Sequence, residues 1–158
     1  MKVEFELNGE EKSLEVDPGE VLLDRLREEG YKSVKEGCKT GDCGACMVLV
    51  DGRAMTSCTL FVAQVDGREI KTVEGLEDEL AERLKESLLE AGAVQCGFCI
   101  PGVLISAYSL LINKENPSEA DIKSALDGNL CRCTGYVKQI GAIKETTEKI
   151  GGSSDGYQ

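Results

Sequence analysis

Three observations predict an α+β fold for this 158-residue chain. The N-terminal stretch alternates apolar and charged residues around an Asn-Gly pair, and a short apolar-faced helix pattern follows it. From Leu76 onward the apolar spacing changes from two to between three and four, the helical period. Eight cysteines fall into two groups of four, one on each side of that change. The expected divisions are a β-grasp unit over residues 1–75, a helical unit over 76–150 and a disordered Gly/Ser-rich tail over 151–158.

The elements follow in order. Val3, Phe5 and Leu7 alternate with charged residues, and Leu14 and Val16 alternate on the return. Asn8-Gly9 between them is a two-residue hairpin signal, because both positions of a type I′ turn need positive φ. Asp17-Pro18-Gly19 breaks the run. Glu20 to Glu29 reads as a short helix with Val21, Leu22, Leu23 and Leu26 apolar, ended by Gly30. A hairpin followed by a helix that leans on it is how a β-grasp fold begins. A Gly- and Cys-rich loop spans Gly37 to Cys46. Met47 to Val50 is a short strand, Asp51-Gly52 a second hairpin turn, and the return runs through Met55 to Cys58. Ile70 to Val73 is a further candidate strand.

Beyond Glu74-Gly75 four helices are expected. Leu76, Leu80, Leu84, Leu88 and Leu89 form a stripe assigned to packing, closed by Gly92. Pro101 suits the first turn of a second helix carrying Val103, Leu104, Ala107, Leu110 and Leu111. Ser118-x-x-Asp121 is a capping-box variant opening a third helix, with Ile122, Ala125 and Leu126 apolar. The last helix runs from Val137 to Ile150. The charge runs Glu77-Asp78-Glu79 and Lys144-Glu145 read as solvated faces. The connection at 74–77 is short and leaves the two halves little independent motion.

Composition narrows the function classes. Only 4% of residues are aromatic and Trp is absent, so Val, Leu, Ile and Ala must build the core. Two halves of about 75 residues would have thin cores, which commonly need a metal or disulfide as a staple. A net charge of −11 repels phosphate backbones and argues against nucleic acid as a partner. No apolar span is long enough to cross a membrane, and Met1 to Glu6 reads as a strand rather than a signal peptide. A cytoplasmic protein with reduced thiols is expected. Histidine is absent, which removes Cys/His zinc fingers, Rieske-type centres and histidine acid–base chemistry.

The first cysteine set, Cys38, Cys43, Cys46 and Cys58, is spaced C-x4-C-x2-C-x11-C. Its first two intervals match the plant-type [2Fe–2S] pattern, whose fourth ligand arrives from further on. A loop that wraps two irons and two sulfides must be unobstructed. Gly37, Gly41 and Gly44 leave that room and let backbone N–H groups approach the sulfurs. The fourth ligand is expected on the strand entering at Thr56-Ser57. The competing reading is a structural zinc site, although zinc ribbons favour two matched C-x2-C knuckles.

The second set, Cys96, Cys99, Cys131 and Cys133, is spaced C-x2-C-x31-C-x-C. Cys96 and Cys99 sit at the entry to the second helix, and the other two lie between the third and fourth. A cluster there would clamp the helix pairs, making metal binding part of the folding free energy. Nearby helix N-termini would favour its negative charge. A thioredoxin-like Cys96/Cys99 dithiol is the rival, but that motif belongs in a βαβ context and the surroundings here are helical.

Gly37-Cys-Lys-Thr-Gly-Asp-Cys-Gly-Ala-Cys46, Gln95-Cys-Gly-Phe-Cys-Ile-Pro-Gly102 and Gly128-Asn-Leu-Cys-Arg-Cys-Thr-Gly-Tyr136 resemble the small iron–sulfur subunit of the molybdenum hydroxylases. These comprise the xanthine dehydrogenase, aldehyde oxidoreductase and aerobic carbon monoxide dehydrogenase family. The resemblance covers residues 2–148 with the motifs in order. It implies a plant-ferredoxin-like β-grasp domain followed by a four-helix bundle, each holding one [2Fe–2S] cluster. It also implies a large partner subunit carrying molybdopterin and usually a medium subunit carrying FAD. By the same resemblance, Gln95 matches a glutamine that contacts the pterin, and Cys133 a ligand whose sulfur lies near a pterin amine. Without it, Gln95 reads as a loop residue bonding to backbone. Gly97 and Arg132 count with the glycines as support for the cluster loops.

The expected function is that of an electron-transfer subunit of an oxidoreductase complex, passing single electrons between molybdopterin and flavin, with no substrate-converting site of its own. The rivals are a free-standing two-cluster ferredoxin-like carrier and an all-cysteine zinc module. The substrate is not legible in this chain.

Overall fold

The structure is a computed structural model that describes residues 1–151; the predicted tail lies, apart from Gly151, outside the described residues. Strands β1 (Lys2–Leu7) and β2 (Glu10–Glu15) pair antiparallel, with Phe5 opposite Lys12 and Leu7 opposite Glu10. Asn8 and Gly9 turn between them at φ 52° and 83°, the positive pair a type I′ turn requires. Helix α1 (Leu22–Glu28) follows. Strands β3 (Met47–Val50) and β4 (Arg53–Thr56) form the second hairpin, turning at Asp51 (φ 50°) and Gly52 (φ 76°). Strand β5 (Glu69–Lys71) inserts between the hairpins, parallel to β1 and antiparallel to β3, giving the order β2-β1-β5-β3-β4. Asn8 locks the insertion, because its side chain accepts from Thr72 N at 2.9 Å and donates to Thr72 Oγ1 at 3.0 Å.

Helices α2 (Glu79–Glu90), α3 (Ile100–Asn113), α4 (Glu119–Leu126) and α5 (Val137–Gly151) make the second half. α2 packs on α5 and α3, and α4 packs on α3 and α5. Leu84, Leu88, Val103, Ile105, Ile122 and Ile143 fill the space they enclose, each burial contributing roughly 1.5–3 kcal/mol. Ser118 and Asp121 form the predicted capping box of α4: Ser118 Oγ accepts from Asp121 N at 3.2 Å, and Asp121 accepts from Ser118 N at 2.8 Å.

Strand β3 joins the halves. Its residues alternate sides. Val48 and Val50 face the core of α1 with Val3, Phe5, Leu7 and Ile70. Leu49 belongs to the helical core, and Met47 packs against it. α3 lies on β3 and β4, and Ser109 Oγ accepts from Ala54 N and donates to Gly52 O, each at 3.0 Å. The exposed edge of β4 is thereby covered.

Four expectations are corrected. The return strand stops at Thr56, and Cys58 lies on a 3-10 turn, Ser57–Thr59, because Ser57 leaves the ladder to bond Cys46 O. The strand expected at Ile70 to Val73 is Glu69–Lys71, since a 3-10 turn takes Val73–Gly75. Leu89 is 66% exposed, one position beyond the face that buries Leu84 and Leu88. Asp78 is not merely solvated: it caps α2, accepting from Ala81 N at 2.8 Å, and also accepts from the Tyr108 hydroxyl.

Candidate metal centres

The first cysteine set is assembled by the β3–β4 hairpin and the loop before it. The register Met47 opposite Thr56 brings Cys46 level with the turn that carries Cys58. Ser57 ties the two together, donating to Cys46 O from its hydroxyl at 2.8 Å. Cys46 is buried and its thiol meets that of Cys58; Cys38 meets Cys43. Gly37 is needed for space, since a Cβ there would stand 2.7 Å from Cys43 Sγ. Gly44 has φ +68°, and a Cβ on it would come within 2.2 Å of Gly128 O. Gly41 also takes positive φ.

Backbone donors surround these sulfurs. Thr40 N lies 3.4 Å from Cys38 Sγ, and hydrogen bonds from the Thr40 side chain and backbone bring the Cys38 thiol down to about 6. Burial pushes Cys58 up to about 11, reinforced by its contact with Cys46. Donors that stabilise a thiolate also stabilise a thiolate-bound metal.

The second set lies where three helix ends meet. Cys99 is the residue before α3, and Cys96 sits in the turn ahead of it, where Gly97 has φ +80°. Cys131 and Cys133 lie between α4 and α5. Tyr136 shapes their loop: its hydroxyl accepts from Cys131 N at 2.8 Å and donates to Asn129 O at 2.9 Å. The thiols again meet in pairs, Cys99 with Cys131 and Cys96 with Cys133. Cys99 is buried, which pushes its thiol up to about 11. At Cys131 burial pulls the same way, but the Thr134 hydroxyl, 3.1 Å from Sγ, and the N–H groups of Thr134 and Cys133 outweigh it and hold the thiol near 7. Cys96 and Cys133 are exposed.

The remaining predicted residues divide. Gln95 is exposed and donates Nε2 to Cys133 O at 3.2 Å, so it braces the loop of the outer thiol pair. Arg132 is exposed and makes no hydrogen bond or ion pair among the described residues. Gln139 was not singled out from the sequence. It is fully buried on the first turn of α5, with Nε2 3.5 Å from Cys99 Sγ and 3.9 Å from Cys131 Sγ. Its signal was available, because residues 139, 142, 143 and 146 make the buried face of that helix and a glutamine there is out of pattern.

The two sets are joined directly. Leu130 N donates to Cys43 O at 2.9 Å, and Asn129 Nδ2 donates to Gly44 O at 3.3 Å. Cys43 belongs to the first set, and Leu130 precedes Cys131 of the second. Gly102 at the start of α3 closes the joint; a Cβ there would lie 2.1 Å from Gly44 O.

The pairwise meeting of thiols bears on the metal. A zinc ion needs its four donors around one centre. A [2Fe–2S] cluster takes four cysteines as two on each iron, which fits the Cys38/Cys43 with Cys46/Cys58 and the Cys96/Cys133 with Cys99/Cys131 arrangement.

Comparison with known proteins agrees. Residues 5–71 match the family described as 2Fe-2S iron-sulfur cluster binding domain. Residues 72–144 match the [2Fe-2S] binding domain family. The nicotinate dehydrogenase small FeS subunit of Eubacterium barkeri is 45% identical over 149 residues, covering 93% of this chain and 95% of that protein. The xanthine dehydrogenase iron-sulfur-binding subunit of Escherichia coli O157:H7 is 44% identical over 144 residues, covering 89% of this chain and 91% of that one. Among solved structures, quinoline 2-oxidoreductase from Pseudomonas putida 86 superposes with a TM-score of 0.86 at 38% identity, covering 98% of both chains. Aldehyde oxidoreductase from Desulfovibrio gigas gives 0.89 at 36% identity, covering 98% of this chain and 18% of that longer one. Two cluster-binding units in one chain, matched end to end by such relatives, establish that it belongs to the family of small iron–sulfur subunits of the molybdenum hydroxylases.

Proposed function

We propose that this chain is the electron-relay subunit of a molybdenum-dependent hydroxylase, carrying single electrons between a molybdopterin centre and a flavin held by partner subunits. The observation that carries the reading is the Leu130 N–H···O=C Cys43 bond between two four-cysteine sets. It gives a short bonded route from one ligand set to the other in a joint without slack. Cys38, Cys43, Cys46 and Cys58 would hold one [2Fe–2S] cluster, and Cys96, Cys99, Cys131 and Cys133 the other; each supplies a one-electron site when bound. The chain's own residues fix the sulfurs and surround them with N–H donors.

The proposed organisation is a plant-ferredoxin-like β-grasp domain over residues 1–75 and a four-helix bundle over 76–150. The outer face of the second site suits the molybdopterin subunit. Cys96 and Cys133 are exposed there, and Phe98, Leu130 and Val137 beside them are 46%, 62% and 77% exposed. An apolar groove of about 410 Å³ lined by Leu88, Leu89, Val94, Ile100 and Pro101 borders Gly97. Gln95, beside Cys133, is the proposed contact to the pterin. The medium FAD subunit would meet the first site. No helix among the described residues is long and apolar enough to cross a membrane, and a cytoplasmic complex is the proposed setting.

Native protein should contain iron and acid-labile sulfide and show two distinct reduced [2Fe–2S] EPR signals. Cys43→Ser should remove or alter one signal and leave the other. Zinc without iron or sulfide would refute the cluster reading. A chain that runs alone on size exclusion, with no molybdenum protein co-purifying, would refute the subunit reading.

A further inference from the structure

We infer that Gln139 sets the reduction potential of the second cluster, holding it above the value its cysteine ligands alone would give. The inference rests on the cluster reading above and concerns a residue outside both cysteine motifs. Gln139 is 0% exposed, and its Nε2 lies 3.5 Å from Cys99 Sγ and 3.9 Å from Cys131 Sγ. These are the two sulfurs of the inner, less exposed thiol pair, so a single amide group faces both of its members. Its Oε1 is buried without a hydrogen-bond partner.

That orphaned acceptor distinguishes a tuning role from simple filling. A buried amide with half its capacity unmet destabilises a helix interface, and Ala142 and Ile143 on the same face show what packing alone prefers. The donor half is therefore the part in use. Two thiolate sulfurs can only accept, which fixes the amide with Nε2 toward them and leaves Oε1 in the core. When the cluster gains one electron, negative charge on its sulfurs rises, and no bond forms or breaks. An N–H dipole aimed at those sulfurs in a water-free site then binds the reduced state more strongly than the oxidised one. The potential rises. The first set has its own donors in Thr40 and Gly41 and is untouched by Gln139, so the amide acts on the difference between the two clusters.

The test is an EPR-monitored redox titration of the cluster-loaded protein in its native complex, comparing wild type with Gln139→Leu and Gln139→Met. Both replacements keep the volume and remove the donor. We expect the second-cluster signal to shift so that its reduced-to-oxidised ratio at a fixed potential falls about tenfold, which is about 59 mV for a one-electron couple. The other signal should not move. An unshifted second signal, or an equal shift of both, overturns the inference, since a merely structural role alters stability without separating the two potentials. If neither variant retains both clusters, Gln95→Leu protein labelled with ¹⁵N in glutamine side-chain amides decides, since it removes the other glutamine amide at this site. Nitrogen coupling on the second signal supports the inference, and its absence overturns it. Wild type without any [2Fe–2S] signal would instead refute the cluster reading itself.

Discussion

Gly102→Ala probes the joint between the two ligand sets. The added methyl carbon would stand 2.1 Å from Gly44 O and 3.0 Å from Asn129 Nδ2, where ordinary contact begins near 3.4 Å. The nearer neighbour, Gly44 O, is backbone, and its carbonyl carbon lies at 3.1 Å, so the two backbones must part by more than an ångström. Overpacking of this kind costs about 1–3 kcal/mol. Parting also stretches Asn129 Nδ2–Gly44 O beyond its present 3.3 Å and strains Leu130 N–Cys43 O, and each buried group left unpaired costs about 1–3 kcal/mol more. Alanine returns about 1 kcal/mol as the better helix former. The net loss is about 3 kcal/mol. The assay is the urea midpoint of the cluster-loaded protein followed by far-UV circular dichroism. Gly141→Ala, on α5 with open space around it, is the control and should raise the midpoint slightly. If Gly102→Ala unfolds at the wild-type midpoint while Gly141→Ala behaves as stated, the two backbones are not in the close contact on which the relay argument depends.

Other outcomes follow from the same structure. Ser118→Ala removes the cap of α4 and should cost about 1 kcal/mol by denaturant unfolding. Tyr108 is pushed up to about 12 by burial and by its bond to Asp78. A folded value above the unfolded one gives stability that is complete below pH 10 and lost as pH rises toward 12. The stability gap between wild type and Tyr108→Phe, about 1 kcal/mol near neutrality, should therefore close over that range in parallel urea titrations. Leu130→Asp places a charge on the exposed apolar rim beside Cys131 and should reduce recovery of the molybdenum subunit in pull-downs while both EPR signals persist. Stripping iron with a chelator should lower the thermal midpoint, because the second set ties the entry of α3 to the loop before α5.

Much of this fold is written in local chemistry. Asn8-Gly9 and Asp51-Gly52 can hold positive φ where few residues do, so both hairpins were readable. The grouping of the cysteines was readable because each set of four falls in segments whose thiols the fold brings together. Pairing between distant segments was less accessible. Nothing near Glu69 announces that β5 runs parallel to β1, since that register is set by Asn8 and Thr72 across the sheet. The end of β4 was misplaced by two residues because Thr56 and Ser57 suit a strand as well as a turn, and only the Cys46 carbonyl decides. Asp78 looked like part of a charge run, although its work depends on Ala81 and on Tyr108 of another helix. Gln139 broke the apolar face of α5, but a single polar residue there says nothing of its target until the fold places two sulfurs beside it.

The division of β3 between two cores has a consequence for how the protein is made. On the ribosome the N-terminal half emerges first, with Val48 and Val50 already able to meet α1. The opposite side, with Leu49, stays bare until α3 has been synthesised. The loop around Cys43 and Gly44 waits longer still, since Gly128 to Leu130 are what press against it. A nascent chain released early would present a sticky strand and an unbuttressed cysteine loop together. Iron–sulfur assembly at the first site is thus best served late, once the last quarter of the chain has arrived to close over it.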